Sequence, residues 1–403
     1  MEAAVRRTFA SFKVRNFRLY YLGQGISLCG TWMQTIALSW LVLQLTHSGT
    51  QLGLVIACQF LPILLFGVWG GVIADRFHKR SILYITQSIL GVLALILGLL
   101  VVTHMIHLWM VYLLAALLGS TMVVDTPTRQ TFVMEMVGAG NLKNAVTLNS
   151  TLVNVARVVG PSIAGLLIAT LGVGQCFLLN AASYVAVLIA LHVMHANELH
   201  AAPPVPKEPG QVKAGLRYVL SEPRLRATLL MMFIVGTFAY EFPVILPLFA
   251  TKTLHGQAAT YSAMTAAMGL GAVIGGLYTA GRSIVQQREL IIVALLFGLS
   301  LLLTAAAPNR LSAYIILMLA GGLSVLFIAM GNSTLQLTSA AHMRGRVMAL
   351  WSIAFLGTTP IGGPIIGSIS DHSNPRVGLA VGGFSTFLAA ILGVWAAKKR
   401  LPA

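Results

Sequence analysis

A chain of 403 residues with 57% hydrophobic and only 9% charged side chains, and a mean hydropathy of +0.85, has too little polar surface to cover a water-soluble globule of its size. Its net charge of +16 is spread as short basic patches between apolar runs, which argues against a nucleic-acid face and for anionic lipid headgroups. Cys29, Cys58 and Cys176 all fall within apolar runs, so they read as small packing residues and not as a disulfide framework.

Apolar runs long enough to cross a bilayer recur along the whole length, so they are read as spanning helices and not as a cleaved signal peptide. They are too long, and alternate too little, for barrel strands. Twelve spans are predicted, at about 18–45, 51–74, 81–103, 108–132, 145–171, 176–195, 227–251, 260–281, 289–307, 312–334, 347–369 and 378–397. With the N-terminus inside, twenty-two bases fall on the cytoplasmic side and three, Lys252, Arg310 and Arg376, on the other, with Arg157 left within a span. Both termini are therefore expected in the cytoplasm of a multi-pass plasma (inner) membrane protein.

The second span closes on Gly71-Val72-Ile73-Ala74-Asp75-Arg76-Phe77-His78-Lys79-Arg80. Gly71 would let a neighbouring backbone come close, and Arg76, Lys79 and Arg80 would hold this hairpin on the cytoplasmic side. The fifth span carries Ala156, Gly160 and Ala164 at intervals of four, a smooth packing face, with Pro161 weakening a turn. Gly271 with Gly275 in the eighth span, Gly67 with Gly71 in the second and Gly363 with Gly367 in the eleventh make similar stripes. The longest break runs from about 196 to 226 and starts with Pro203, Pro204, Pro206 and Pro209. Its later part, 212–220, has helical apolar spacing and is read as an amphipathic helix with Lys213 and Arg217 toward headgroups, or else as a solvated tether.

This break divides the chain into an N-terminal six-helix bundle (1–195), a linker (196–226) and a C-terminal six-helix bundle (227–403). An internal repeat supports the division. Gly160-Pro161, followed by Gly165, has its counterpart in Gly363-Pro364, followed by Gly367, and the polar stretches before them, at Asn141 and Arg344, share the same offset of 203 residues.

Only ten acids exist, and Glu2, Asp75, Glu135, Glu198, Glu208, Glu222, Glu289 and Asp371 are assigned to loops or termini. Asp125 and Glu241 remain for the membrane, where ionising either costs roughly 3 kcal/mol or more. Glu241, in Phe238-Ala239-Tyr240-Glu241-Phe242-Pro243, has no base near it in sequence. It is the first candidate for a group that takes up and releases protons, the other reading being a structural acid. Asp125 is the second candidate. It can pair with Arg129 four residues on, or with Arg157, which otherwise points into water and could receive an anionic group of a substrate. Gln24, Gln34, Asn149, Asn154, Tyr240, Asn332 and Gln336 are the further candidates for lining a substrate cavity, with Asn180 in the same polar set. Trp32, Trp40, Trp69, Phe238 and Phe242 could add stacking surface or only pack.

No zinc-peptidase, phosphate-loop or nucleotide-fold motif is present, so neither enzyme activity nor ATP-driven transport is expected. The histidines are scattered, with His104 and His107 in one loop, and no metal or cofactor is predicted.

The Gly71–Arg80 hairpin resembles the loop between helices 2 and 3 of major facilitator superfamily transporters, with His78 where that family usually has glycine. More narrowly, Asp125-Thr126-Pro127-Thr128-Arg129-Gln130, the Asn149–Gly165 stretch and Gly215-Leu216-Arg217-Tyr218 resemble the branch of enterobactin-type siderophore exporters and Tap-like drug efflux proteins. The Gly160-Pro161 element is similar to the motif of drug-proton antiporters, with Ala164 in place of a glycine.

The resemblance implies an all-α membrane protein of two pseudo-symmetric six-helix bundles that rock around a central cavity. It implies a cytoplasmic gate in which Asp75 reaches the start of helix 11, where the dipole favours an anion, and a base on helix 4, matched by Arg129. The expected function is proton-coupled export of a small amphipathic compound, drug-like or siderophore, by alternating access. A proton-independent facilitator or flippase is the alternative, and a non-transporting receptor the third reading. The expected partners are a small-molecule substrate, protons and membrane lipids, with no nucleic acid, and the chain is expected to be a monomer.

Overall fold

A computed structural model describes residues 10–200, 211–280, 286–340 and 343–398. The linker prolines, and Arg6, Arg7, Lys207, Arg282, Lys399 and Arg400 of the charge count, lie outside them. Among the described residues there is no strand, and twelve helical segments are long and apolar enough to cross a membrane.

The first six are α1 (Arg15–Thr46), α2 (Gly49–Arg76), α3 (Lys79–Val102), α4 (Leu108–Gly138), α5 (Gly140–Thr170) and α6 (Val173–Val193). The connections are short: His47-Ser48 joins α1 to α2 and Phe77-His78 joins α2 to α3. α4 and α5 follow each other without a loop, and the chain turns at Gly138, whose φ of 68° is a left-handed conformation that glycine adopts without a Cβ penalty. α4 runs six residues beyond the expected end at 132. This carries Glu135, assigned from the sequence to a loop, onto a helix.

The linker contains α7 (Gln211–Ser221). Its apolar side docks instead of floating: Val219 is buried, the Tyr218 hydroxyl accepts the Ala340 N–H at 3.0 Å, and Gly215 lies against Arg346. Leu216, Arg217 and Leu220 face outward.

The seventh span is α8 (Pro223–Phe238) followed by α9 (Phe242–Leu248) and a wider π turn, Phe249–Thr253. Pro243 explains the break, because it lacks the N–H that would bond the Ala239 carbonyl and its ring crowds that carbonyl. α10 (Ala258–Ala280), α11 (Gln287–Ala306) and α12 (Arg310–Thr338) follow, the last with a capping box of Asn309 and Ser312. The eleventh span is broken like the seventh. α13 (Arg344–Leu356) stops, Gly357-Thr358 intervene, and α14 (Thr359–His372) restarts with Pro360 in its first turn. α15 (Pro375–Lys398) ends the described chain.

Contacts group the chain into two compact units, one of 1–38 and 65–206, the other of 39–64 and 207–403. The Ser48 half of the α1–α2 hairpin thus packs with the second unit. In the first unit the core gathers where α1 and α3 begin and α6 ends, around Phe17, Tyr20, Leu83, Phe132, Met136 and Leu191. The predicted smooth face of α5 is used: Ala156 and Ala164 are fully buried, and a Cβ on Gly160 would stand 2.7 Å from the Cys29 carbonyl of α1. Pro161 and Gly165 are buried on the same helix. A similar close approach is made at Gly70, next to Gly71, which abuts the Val123 carbonyl of α4.

In the second unit, α10 and α12 meet backbone to backbone at Gly271, Gly275, Gly321 and Gly322. Its core centres on Met231, Met232, Val235, Phe297, Phe327 and Trp351.

Candidate functional site

The break between α8 and α9 puts Glu241 at the N-cap position of α9, 2% exposed. Neither carboxyl oxygen has a hydrogen bond of good geometry, and Thr359, at the start of α14, is a polar neighbour. The oxygens instead face the glycine backbone of α14. A Cβ on Gly362 would lie 2.9 Å from Oε1 and one on Gly363 3.4 Å from Oε2. Glu241 also borders a small cavity of about 10 Å³ whose other lining side chains are apolar, among them Phe238, Phe242, Ile245, Leu301 and Ile366. A carboxyl group that is buried and lacks a counter-charge is costly to ionise and free to bind a proton or small cation.

Asp125 is buried just as deeply, at 1% exposed, but in the opposite surroundings. Its Oδ1 accepts the Thr86 hydroxyl and the Gln87 amide, each at 2.7 Å, and its Oδ2 is 2.9 Å from Arg129 Nε on the same helix. Of the two sequence alternatives, Arg129 is thus its partner. Arg157 lies over the Trp32 ring, 4.9 Å from its centre. Thr86 and Gln87 escaped the sequence reading because α3 gives no sign of which face meets α4.

The hairpin bases are anchored within the first unit. Lys79 pairs with Glu135 at 2.5 Å, and Arg80 donates to the last carbonyls of α6, Leu191 at 2.9 Å and His192 at 3.1 Å, a favourable place for a cation. Arg76 is exposed and Asp75 half-buried.

The candidate cavity residues separate. Gln34 is buried and accepts the Asn180 amide at 2.6 Å, tying α1 to α6. Gln24 is buried on α1. Asn149 is half-buried, and Asn154 bonds back to the Ser150 carbonyl of its own helix at 3.0 Å. Tyr240 donates to the Ser324 carbonyl at 2.7 Å, within an aromatic group with Phe242, Phe297 and Phe355. Gln336 bonds Asn332 one turn before it. Pro364 sits inside α14 between Gly363 and Gly367, both of which pack against α2.

Asp371, assigned from the sequence to a loop, lies in the last turn of α14 and collects five hydrogen bonds around the start of α2. One signal could have found it. By the base count it is the lone acid on its side of the membrane, and it stands four residues after Gly367 and eight after Gly363.

A family model described as transmembrane secretion effector matches residues 6–402, nearly the whole chain. The chain belongs to that family, within the major facilitator superfamily of transporters. It is 26% identical to the staphyloferrin A transporter of Staphylococcus aureus over 265 residues, 64% of this chain and 66% of that protein. It is 27% identical to the enterobactin exporter EntS of Escherichia coli O1:K1 / APEC over 388 residues, 93% of this chain and 90% of that one. Among solved structures, a bacterial homologue of the lysosomal transporter Spinster superposes with a TM-score of 0.71 at 15% identity, covering 95% of each chain. At that identity the likeness concerns the fold alone. This major facilitator is a transporter and not an enzyme, as the sequence motifs suggested.

Proposed function

We propose that the protein exports a small amphipathic compound, of siderophore or drug-like type, by alternating access coupled to protons. The observation that carries the coupling is Glu241: a buried carboxyl without a counter-charge, held in a helix break beside a cavity. In this reading Glu241 loads a proton from outside and releases it inside as the substrate leaves. Asp125 is hydrogen-bonded by Thr86 and Gln87 and ion-paired with Arg129, which favours a structural role for it. Export of siderophores by relatives of similar length, such as the enterobactin exporter EntS, supports the substrate class. The base count supports cytoplasmic termini, with the Asp75 hairpin on the same face as part of a gate with Arg76, Lys79, Arg80 and Arg129.

The test is transport in liposomes with enterobactin, staphyloferrin A and a cationic dye as probes. Substrate-dependent proton flux is expected, and Glu241→Gln is expected to abolish pH-driven transport of the same probe in a folded protein. Unchanged proton-driven efflux by that variant would sink the assignment. Flux of a probe that ignores the pH gradient would favour the facilitator or flippase reading.

A further inference from the structure

α2 begins against α14, and the junction has two parts. The first is a crossing where the two backbones meet through glycines, with the Leu248 side chain closing on Gly49. A Cβ on Gly49 would lie 2.9 Å from the Gly367 carbonyl and one on Gly363 3.2 Å from the Gly53 carbonyl, while Cβ atoms on Gly53 and Gly367 would overlap the facing carbonyls outright. Gly49 with Gly53, and Gly363 with Gly367, are four apart, so each pair makes one smooth face on its helix.

The second part is a cap. The Asp371 carboxylate, one more turn along the same face of α14, accepts the backbone N–H groups of Gly49 and Thr50, both at 2.8 Å. It also accepts the hydroxyls of Ser48 at 2.7 Å and Thr50 at 2.9 Å, and the Lys252 ammonium at 2.9 Å. The first N–H groups of a helix need an outside acceptor and favour an anion. Here the acceptor comes from a helix about 320 residues away along the chain. Every bond in this cap can be exchanged for water, since the Asp371 and Lys252 side chains are 17% and 38% exposed. Glycine faces likewise separate without dragging side chains out of a socket.

Glu241 touches this same junction. The same face of Gly363 meets both: its Cβ position lies 3.2 Å from the Gly53 carbonyl and 3.4 Å from Glu241 Oε2. Among the described residues, the groups around Glu241 from α8, α9, α11, α14 and α15 carry no charge, α2 brings the Gly53 backbone to the same spot, and Thr359 is a polar neighbour. Around Asp371 the charged neighbour is Lys252, and the His372 ring turns back to its own helix at Ser368. α14 is a short piece set off from α13 by Gly357-Thr358, and Pro364 removes one rung of its backbone ladder. It can shift as a unit.

We propose that the α2–α14 crossing and its Asp371 cap form a releasable seal, and that the charge on Glu241 controls it through the Gly362-Gly363 backbone. A neutral carboxyl tolerates the dry glycine surface and leaves the seal closed. A charged one demands water or a cation in that gap, which separates Glu241 from α14 and moves Gly363 off Gly53. The seal deepens the reading of Glu241 as the proton carrier and rests on it for its place in the cycle.

Spin labels at His47→Cys and His372→Cys, two exposed sites beside the cap, report the seal in the full-length protein with alanine at the three native cysteines. Pulsed electron resonance should show a short-distance population that Glu241→Gln enlarges. Asp371→Asn should diminish it about tenfold, as the loss of charge-assisted bonds predicts. Gly53→Val should diminish it by wedging the crossing. Lys252→Gln, which keeps the carboxylate in place, should act in the same direction as Asp371→Asn but more weakly. The inference is overturned if Glu241→Gln leaves the distances unchanged, or if Asp371→Asn and Gly53→Val both do. Loss of proton flux in Glu241→Gln with unmoved distances would remove the seal and spare the proton carrier. Moved distances with intact proton-driven efflux would do the reverse.

Discussion

Asp125 and Glu241 are buried to the same depth, 1% and 2% exposed, yet one is saturated with partners and the other has none of good geometry. Asp125 sits on a continuous helix, where Arg129 is one turn away and Thr86 and Gln87 come from α3. Glu241 sits in a helix break, where its neighbours are glycine backbone and apolar side chains. Burial alone therefore does not distinguish a working acid from a structural one. On the proposed reading the partners do, because an acid already committed to an arginine gives up little by staying charged.

The sharpest way to break this contrast is to remove each group and compare stability. Asp125→Ala leaves the Arg129 charge and two polar groups without their acceptor, and should cost about 3 kcal/mol, the lower end for a broken buried pair because Arg129 is partly exposed. Thermal unfolding in detergent and the yield of folded protein measure it. Lys79→Met strips Glu135 of its cation and should cost about 1 to 2 kcal/mol, read in the same melts. A smaller loss is expected for Gln34→Leu, which removes one bond between helices, about 0.6 kcal/mol by analogy with other membrane proteins. Glu241→Gln should change stability least, by under about 0.5 kcal/mol, since it removes no hydrogen bond, while its effect on pH-driven transport should be the largest of the four. If it melted as low as Asp125→Ala, the two acids would be alike and the contrast would fall.

Much of the fold was legible in the residues. All twelve spans, the helical nature of the segment before the seventh and the close-packing use of the glycine stripes at Gly160, Gly271, Gly275, Gly363 and Gly367 follow from hydropathy and spacing, which are local properties, whereas the docking of that segment does not. The Asp125–Arg129 pair was legible for the same reason, as both lie on one helix. Less could be read where two helices meet. Nothing local in Thr86, Gln87 or Asn180 tells which neighbour each will bond. Glu135 and Asp371 were taken for loop residues because the hydrophobic window ends before the helix does, and each charge is kept on its helix by a partner from elsewhere in the chain.

The sequence by itself determined that this is a twelve-helix membrane protein, because apolar length and small-residue spacing act within single segments. It also marked Glu241 as an acid in an expensive place. Only the tertiary structure decided which acids are given a partner, that Gly363 touches both Gly53 and Glu241, and that Asp371 closes the start of α2. Those facts depend on packing between residues hundreds of positions apart, and hydrogen bonds across such distances leave no periodic trace in a single chain.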